Sequence, residues 1–286
     1  MNNKRDRFNI ILDTDTYNEC DDLFALTYLI KHQDLFNIEA ITIAPYSHHK
    51  HFVSVPDGQK LSYKEAKKIC DYFGFDSSKV YKGSVDYLQN GYTQDNDAVN
   101  KIIEIVKSND KTYILAIGAI TNIALAIIKE PTIVDKTEII WLGGHQLGYE
   151  NNREYNFKQD VEAVKIVFNS NVPLTVLPCS EVVSKLNINI NTLKEKIGNK
   201  SKFYDDLIER FYNDGYNGIR VERPIFDIAV IAYMVNKKWF KTTKISCPEI
   251  LEDLSYKITN NKRKITFVTD INREEIYNDL FQRYDM

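Results

Sequence analysis

Four aspartates that follow a short apolar run near the start of the chain constrain the fold more than any other feature. The run is Ile10–Leu12, and the aspartates after it are Asp13, Asp15, Asp21 and Asp22. A second apolar segment, Leu23–Ile30, has helical character, so the two runs predict a buried strand followed by a helix. The acidic loop then lies at the carboxyl end of the strand, where open α/β sheets bind their ligands. Because four carboxylates this close repel one another, we expect a hard cation with oxygen ligands among them.

Strands and helices alternate along the chain through residue 177. The predicted strands after the acidic loop are Ile38–Ala44, Val80–Lys82, Tyr113–Ile120, Glu138–Gly144 and Leu174–Leu177. One predicted helix begins at Ser62, which forms a capping box with Glu65. The other predicted helices in this part are Ala98–Val106, Asn122–Lys129 and Val161–Phe168. This alternation is typical of an α/β protein with a doubly wound, mostly parallel sheet flanked by helices.

The last third of the chain is predicted to be mainly helical. From about Asn189 onward Phe226–Val235 is the most apolar helix, and Lys264–Asp270 is predicted to be a late strand at an edge of the sheet. No linker, repeat or break in composition divides the sequence. We therefore expect a single α/β domain over residues 1–286.

Charge and hydropathy argue against two classes of partner. Net charge is −3, and Lys and Arg are spread along the chain without a basic block, which argues against nucleic acid. The longest apolar stretches are about ten residues, too short to cross a membrane. The N-terminal MNNKRDRF leaves no room for an apolar signal segment. The four cysteines are far apart and form no CxxC pair, which is typical of reduced thiols in a cytoplasmic protein.

Four segments resemble the signature regions of inosine-uridine-type nucleoside hydrolases, in the family's order. They are LDTDTYNECDD, AIGAITNIALAI, WLGGHQLGYENNREYNFKQDVEAVKIVF and PIFDIAVIAYMV, and they cover roughly residues 9 to 235. Most family members open with D-x-D-P-G-x-D-D. Here six positions separate Asp15 from Asp21 instead of four, and Asn18 and Glu19 replace the Pro-Gly turn. The resulting form, DTDxxNExDD, is similar to that of a bacterial branch of the family.

The resemblance implies a Ca²⁺ site built from carboxylates and one main-chain oxygen. The metal carboxylates would be Asp15, Asp22 and Asp227, and the main-chain carbonyl of Ile117 would complete the protein ligands. Asp15 would also act as general base on the attacking water. Three carboxylates nearly balance the charge of Ca²⁺, and the absence of histidine from the set argues against zinc. Asp13 is expected to be a structural hydrogen-bond acceptor.

The resemblance also implies which residues hold the substrate. The residues expected to contact the ribose are Asp21, Asn152, Glu154, Asn156 and Asp227. His145, which follows a Gly-Gly turn, and Phe226 are expected to form walls of the pocket. Hydrolysis of an N-ribosyl bond passes through an oxocarbenium-like sugar, which nearby carboxylates stabilise electrostatically.

The expected activity is calcium-dependent hydrolysis of a ribonucleoside or related N-riboside to free base and ribose, by a homodimer or homotetramer. One alternative is a haloacid-dehalogenase-type phosphatase, since Asp-x-Asp after an apolar strand also opens that family, although Tyr17 stands where it carries Thr or Val. A second alternative is a homologue that binds a riboside without turning it over. An EF-hand-like loop fits poorly, because Asn18 and Phe24 stand where that loop needs Gly and Glu.

The position before Asp227 distinguishes this chain from many members of the family. They carry a histidine there that is thought to protonate the departing base, whereas Phe226 cannot donate a proton. The candidate substitutes in the sequence are His145, His48, His49 and His51. Stacking of the base on Phe226 or Tyr155 is a second way to help its departure. We therefore expect a weaker acid than a dedicated histidine.

Overall fold

Strands and helices alternate within residues 7–47, 53–213, 220–260 and 262–286, which the computed structural model describes. The strands are β1 (Phe8–Thr14), β2 (Phe36–Ile43), β3 (Val80–Tyr81), β4 (Thr112–Ala116), β5 (Thr137–Leu142), β6 (Leu174–Leu177), β7 (Asn187–Asn189), β8 (Glu222–Pro224), β9 (Phe240–Ser246), β10 (Glu249–Ile250), β11 (Tyr256–Lys257) and β12 (Lys264–Ile271). The α-helices are α1 (Asp21–Ile30), α2 (Val55–Tyr72), α3 (Asp97–Ser108), α4 (Thr121–Lys129), α5 (Tyr155–Gln159), α6 (Val161–Asn169), α7 (Ile190–Ile197), α8 (Lys202–Asn213), α9 (Ile228–Val235) and α10 (Arg273–Asp285).

Eight of these strands form one sheet in the order β3-β2-β1-β4-β5-β6-β12-β9. Neighbouring strands are parallel throughout, except that β9 runs antiparallel to β12. Two further pairs, β7 with β8 and β10 with β11, form small antiparallel ribbons. The predicted doubly wound, mostly parallel sheet is confirmed.

Helices cover both faces of the sheet and enclose two apolar cores. Helices α1, α2 and α7–α10 contribute to the core on one face, while α3, α4 and α6 contribute to the core on the other. β1 shows the division most clearly, because Ile10 and Leu12 lie in the first core and Ile11 in the second. Successive side chains of a strand point to opposite faces, so a strand covered on both sides has a continuous apolar run. No helix in the described parts of the chain is long and apolar enough to cross a membrane.

The start of α2 differs from the prediction. The helix begins at Val55 and not at Ser62, with Ser54 as the N-cap whose Oγ accepts a hydrogen bond from the amide of Asp57 at 3.3 Å. Pro56 stands in the first turn, where a missing N–H costs nothing. Ser62 and Glu65, which have the spacing of a capping box, therefore lie inside the helix. Main-chain amides there already donate to carbonyls of the preceding turn.

The far edge of the sheet also differs from the prediction. β12 lies between β6 and β9, so the assignment of Lys264–Asp270 to an edge was wrong. The true edge strand, β9, has the sequence FKTTKIS and four consecutive exposed residues. A strand without a buried face lacks the alternating apolar pattern from which strands are predicted. That is why it was missed among the predicted helices of the last third.

A buried polar network joins the carboxyl ends of β1 and β2 to α4. Asp13 Oδ1 accepts hydrogen bonds from Thr42 Oγ1 at 2.6 Å and Asn122 Nδ2 at 2.9 Å. Asn122 Oδ1 accepts from the backbone N–H and the hydroxyl of Ser84, both at 2.9 Å. Burial raises the pKa of Asp13 to about 7, although the hydrogen bonds from Asn122 and Thr42 oppose the shift. The structural role predicted for Asp13 is confirmed.

We expect Asn122→Ala to lower the free energy of unfolding by about 3 kcal/mol, because it leaves several buried polar groups without partners. Urea denaturation of the variant and the wild type measures the difference. Asn171→Ala, at an exposed position, is the matched control and should change stability by less than about 0.5 kcal/mol. Equal losses in the two variants would contradict a special role for Asn122.

Candidate functional site

A cavity of about 340 Å³ opens at the carboxyl edge of the sheet, where the segments after β1, β4, β5 and β6 meet. Nine of the ten predicted site residues line it: Asp15, Asp21, Asp22, Ile117, His145, Glu154, Asn156, Phe226 and Asp227. Asn152 is the tenth, and it does not line the cavity. The size suits a small-molecule ligand.

Two helix N-termini bring three carboxylates together in this cavity. Asp21 and Asp22 occupy the first turn of α1, and Asp227 is the N-cap of α9. Carboxylate oxygens of the three residues lie within 4.8 Å of one another, and all three side chains are buried. Helix N-termini favour negative charge, and a donor set made only of oxygen fits a hard divalent cation better than zinc. The cluster is therefore a candidate metal centre.

Burial and mutual repulsion raise the pKa values in this cluster. For Asp22 burial is the larger cause, followed by repulsion from Asp15 and Asp21. For Asp227 burial again comes first, followed by repulsion from Asp21 and Asp22. Thr14 Oγ1 donates a hydrogen bond to Asp22 Oδ1 at 2.5 Å, which offsets part of the free-energy cost of burying an ionised carboxylate. A bound cation would offset much more of it, because it favours the ionised form of each carboxyl group.

A buried arginine that was not predicted as a site residue lies beside the cluster. Arg223 is 2% exposed, and its Nη2 lies 3.0 Å from Glu19 Oε2 and 3.6 Å from Asp21 Oδ1. Glu19 and Asn18, which replace the Pro-Gly turn, both line the cavity. The ion pair of Arg223 with Glu19 thus joins the altered loop after β1 to strand β8.

Asp15 lies in the same cavity but outside the set of three close carboxylates. Asn18 Nδ2 donates a hydrogen bond to Asp15 Oδ2 at 2.9 Å, and the Asn18 amide donates to the Asp15 main-chain oxygen at 2.7 Å. Gly118 packs closely on the carboxylate, since a Cβ there would lie 3.2 Å from Asp15 Oδ1 and 2.9 Å from Ala44 Cβ. Burial raises the pKa of Asp15, which suits a carboxylate that accepts a proton.

Asn156 holds two main-chain carbonyls that border the cavity. Its Nδ2 donates to the oxygens of Ile117 and Leu142, each at 3.1 Å. The Ile117 carbonyl is the one predicted to bind the metal. A carbonyl oxygen has two lone pairs, so the hydrogen bond from Asn156 leaves one for a ligand.

Glu154 is the N-cap of α5, and protein donors surround its carboxylate. Its Oε1 accepts from the amide of Asn156 at 2.9 Å, and its Oε2 accepts from the amides of Gly144 and Phe157, both at 3.0 Å. The Cys179 thiol donates a fourth hydrogen bond. Burial raises the pKa of Glu154 while these bonds oppose the shift. Since a carboxylate has about four acceptor sites, a sugar hydroxyl on Glu154 would displace the thiol.

Asn152 supports the segment that carries His145. Its Nδ2 donates to the carbonyl of Leu254 at 2.9 Å, and its Oδ1 accepts from the amide of His145 at 2.8 Å. The side chain is buried, with 1% exposed. The structure therefore places Asn152 next to the cavity wall, outside the set of residues that line the cavity.

The segment after β6 lines the cavity and was also missed. Its lining residues are Cys179, Ser180 and Ser184. The signal was available, because Cys179 and Ser180 follow the predicted strand Leu174–Leu177, and the ends of parallel strands share one edge of a sheet. Burial raises the pKa of the Cys179 thiol, which favours the unreactive protonated form. The predicted loop histidines His48, His49 and His51 lie outside the described residues.

Comparison with known proteins identifies a family. The profile of the inosine-uridine preferring nucleoside hydrolases matches residues 10–278. An inosine-uridine preferring nucleoside hydrolase of Crithidia fasciculata is 29% identical over 157 residues, which are 52% of this chain and 50% of that protein. A probable ribonucleoside hydrolase of Dictyostelium discoideum is 24% identical over 211 residues, which are 66% of this chain and 62% of that protein. The matched segments span about half to three-fifths of these relatives' own length.

Solved structures show the same fold. A plant nucleoside hydrolase superimposes with a TM-score of 0.79 at 18% identity, covering 98% of this chain and 99% of that chain. A purine-preferring ribonucleoside hydrolase from Gardnerella vaginalis gives a TM-score of 0.78 at 20% identity, covering 96% and 98%. At these identities the likeness establishes the fold alone.

We expect Glu154→Gln to lower the free energy of unfolding by about 2 kcal/mol, because the amide turns an NH₂ group toward backbone donors and leaves at least one of them unpaired. Urea denaturation measures the change. Glu150→Gln, on an exposed side chain, removes the same charge and should have almost no effect. A Glu154→Gln variant as stable as this control would show that the three backbone contacts contribute little.

Proposed function

The chain belongs to the inosine-uridine preferring nucleoside hydrolase family, and from this membership we propose that it hydrolyses the N-glycosidic bond of a ribonucleoside or related N-riboside to free base and ribose. The observation that carries the proposal is the cavity in which Asp15 lies beside the close carboxylates Asp21, Asp22 and Asp227. Burying four carboxylates in one cavity is costly, and a cation together with a cationic transition state would offset that cost.

Calcium is the metal we propose for this site. The predicted ligands Asp15, Asp22, Asp227 and the Ile117 carbonyl all border one cavity, and all of them offer oxygen. Asp21 is close enough to Asp22 and Asp227 to join them or to hold a sugar hydroxyl beside them. Buried carboxylates with raised pKa values fit a divalent ion, which replaces the protons they would otherwise need. When bound, the ion would lower the pKa of the attacking water.

Asp15 is the proposed general base. It takes a proton from the attacking water while that water adds to C1′ of the ribose. The hydrogen bond from Asn18 Nδ2 fixes one oxygen of the carboxylate, and the close packing of Gly118 restricts its rotation. A base held in one orientation avoids the entropic cost of finding the water at each turnover.

The ribose is proposed to lie over the carboxylates with its hydroxyls on the residues around them. Asp21, Asp227 and Asn156 border the cavity with polar atoms suited to hydroxyl groups. Glu154 contributes by holding the amides at the start of α5, and a direct contact of its carboxylate would require the Cys179 thiol to turn away. For Asn152 the contacts with Leu254 and His145 support an indirect role in shaping the wall.

We also propose a domain organisation, a cellular compartment and an oligomeric state for the protein. One sheet contains strands from both the first and the last part of the chain, which supports a single domain. All four cysteines are free thiols, which supports a reducing compartment such as the cytoplasm. A homodimer or homotetramer is proposed from the family resemblance, and sedimentation at equilibrium measures it.

Calcium should raise the thermal stability of the protein after dialysis against EDTA, since a ligand that binds only the folded state stabilises it by about 2.7 kcal/mol at one hundred times its Kd. Asp22→Asn should lose most of this increase in Tm, whereas Asp135→Asn, on an exposed side chain, should keep it. Activity that survives exhaustive EDTA dialysis, with metal shown absent by elemental analysis, would refute the calcium site.

Asp15→Asn should remain folded and lose roughly three orders of magnitude in kcat, because an amide cannot accept the proton of the attacking water. A reducing-sugar assay with a panel of nucleosides measures turnover, and circular dichroism checks the fold. Asn156→Ala is expected to affect kcat and KM together, since it releases carbonyls that position the site. Turnover of Asp15→Asn within tenfold of the wild type would remove Asp15 from the base role.

The reducing-sugar assay, together with a phosphate-release assay and a binding measurement, decides between the proposed reaction and its alternatives. Release of reducing sugar with a free base supports the hydrolase. Release of inorganic phosphate from phosphate esters, with no sugar from nucleosides, would support a phosphatase instead. Binding of a riboside without any product would identify a homologue that has lost turnover.

Leaving groups that need no protonation should be favoured, because Phe226 occupies the position at which many relatives carry histidine. We expect kcat on nitrophenyl riboside to exceed kcat on inosine by roughly a hundredfold at neutral pH, the lower end of what general acid catalysis contributes. Phe226→His should narrow this ratio by raising kcat on inosine alone. Equal rates on both substrates in the wild type would show that an efficient acid is already present.

A further inference from the structure

The Cys179 thiol and the Tyr155 hydroxyl, which could supply a proton at the cavity, each donate to another group. The Cys179 thiol donates to Glu154, and Glu154 accepts three backbone amides besides. The hydroxyl of Tyr155 donates to the main-chain oxygen of Ser47. The clustered aspartates are proposed to be ionised on the metal. Among the described residues that line the cavity, His145 is the histidine left to supply a proton.

His145 is held in place by a serine from the next loop along the sheet edge. Ser180 Oγ lies 2.8 Å from His145 Nδ1, and both residues line the cavity. With Nδ1 engaged by the serine hydroxyl, Nε2 is the ring nitrogen available to another partner. Tyr149 packs against the imidazole with ring centroids 4.9 Å apart and an interplanar angle of 37°.

The two segments that carry His145 and Ser180 are joined by further contacts. The amide of Cys179 donates to the carbonyl of Gly144 at 2.9 Å, and Gln146 Nε2 donates to the carboxylate of Glu181. Glu181 has a positive φ of 63°, an uncommon conformation for a residue other than glycine. In addition, Asn152 Oδ1 accepts a hydrogen bond from the main-chain amide of His145. These contacts hold together the two segments from which the side chains of His145 and Ser180 meet, and the unusual backbone of Glu181 is typical of functional sites.

We propose that His145 is the catalytic acid that protonates the departing base, with Ser180 as the residue that positions it, a proposal that rests on the hydrolase function above. The side chain of His145 takes over the proton transfer that Phe226 cannot perform. It reaches the cavity from the segment after β5, whereas Phe226 precedes α9. Burial lowers the pKa of His145, so a smaller fraction of the protein carries the imidazolium at neutral pH, which agrees with less efficient protonation of the base.

Cleavage of the N-glycosidic bond involves one electron pair and two proton transfers, and all of them balance. The bond between C1′ and the base nitrogen breaks, and its electron pair stays on the base. His145 Nε2 gives its proton to a ring nitrogen of the base, leaving a neutral imidazole whose Nδ1–H donates to Ser180 Oγ. Water adds to C1′, and Asp15 takes the proton that the water loses. The products are the neutral base and ribose, and proton exchange with solvent restores His145 and Asp15.

The test compares kcat for inosine with kcat for nitrophenyl riboside, which does not need the acid. His145→Gln should lower kcat on inosine by about tenfold to a hundredfold and leave kcat on nitrophenyl riboside within about threefold. Ser180→Ala should cause a smaller loss, again on inosine alone, and Ser180→Thr should recover part of it because it keeps the hydroxyl. Ser170→Ala, which removes a serine hydrogen bond at the end of α6, is the control and should leave both rates unchanged.

Each outcome has one interpretation. A selective loss on inosine in His145→Gln and Ser180→Ala supports the acid and its positioning residue. A parallel loss on both substrates would mean that the pair only maintains the structure, and an unchanged ratio would mean that another group donates the proton; either result overturns the proposal. Failure of the wild type to release sugar from nitrophenyl riboside and from every nucleoside of the panel would instead overturn the hydrolase function itself.

Discussion

The cost of burying several carboxylates at one edge of the sheet is the constraint on which the rest of the structure depends. Asp15, Asp22 and Asp227 are removed from water and repel their neighbours, so the pKa of each is raised. The protein offsets part of this cost with two helix N-termini, the hydroxyl of Thr14 and the guanidinium of Arg223. What these contacts leave uncompensated is what a divalent cation would supply. Binding of a cation would therefore be coupled to the stability of the fold.

The longer loop after β1 contains residues that restrain its own conformation. A loop without the Pro-Gly turn has more conformational freedom, and a carboxylate on it is positioned less well. Here Asn18 contacts Asp15 directly, and Glu19 forms an ion pair with Arg223 on β8. Because Arg223 is buried, the pair anchors the loop more firmly than an exposed ion pair would. The altered motif is therefore compatible with an ordered site.

Several residues near the cavity act on the backbone more than on a ligand. Asn156 contacts the carbonyls of Ile117 and Leu142, Glu154 caps α5, and Asn152 fixes the amide of His145. Such contacts connect the ends of β4 and β5 with the start of helix α5. They restrain the cavity wall, which would help to keep the proposed general base and the proposed acid at a fixed separation. Polar residues in a functional segment can thus serve the site without touching the substrate.

The sequence by itself determined the alternation of strands and helices, the edge at which the aspartates lie and nine of the residues around the cavity. The alternation and the position of the aspartates follow from local patterns: an apolar run, its period, and the polar residues directly after it. The expected roles of the cavity residues came from the resemblance of four segments to the signature regions of the family. Tertiary structure decided the rest. The edge strand β9 has no buried face to produce a pattern, and the partners Arg223 and Ser180 meet Glu19 and His145 only because distant segments pack together. It also placed Asn152 against the wall instead of in the cavity, since the direction of a side chain depends on contacts with residues such as Leu254, 102 positions away.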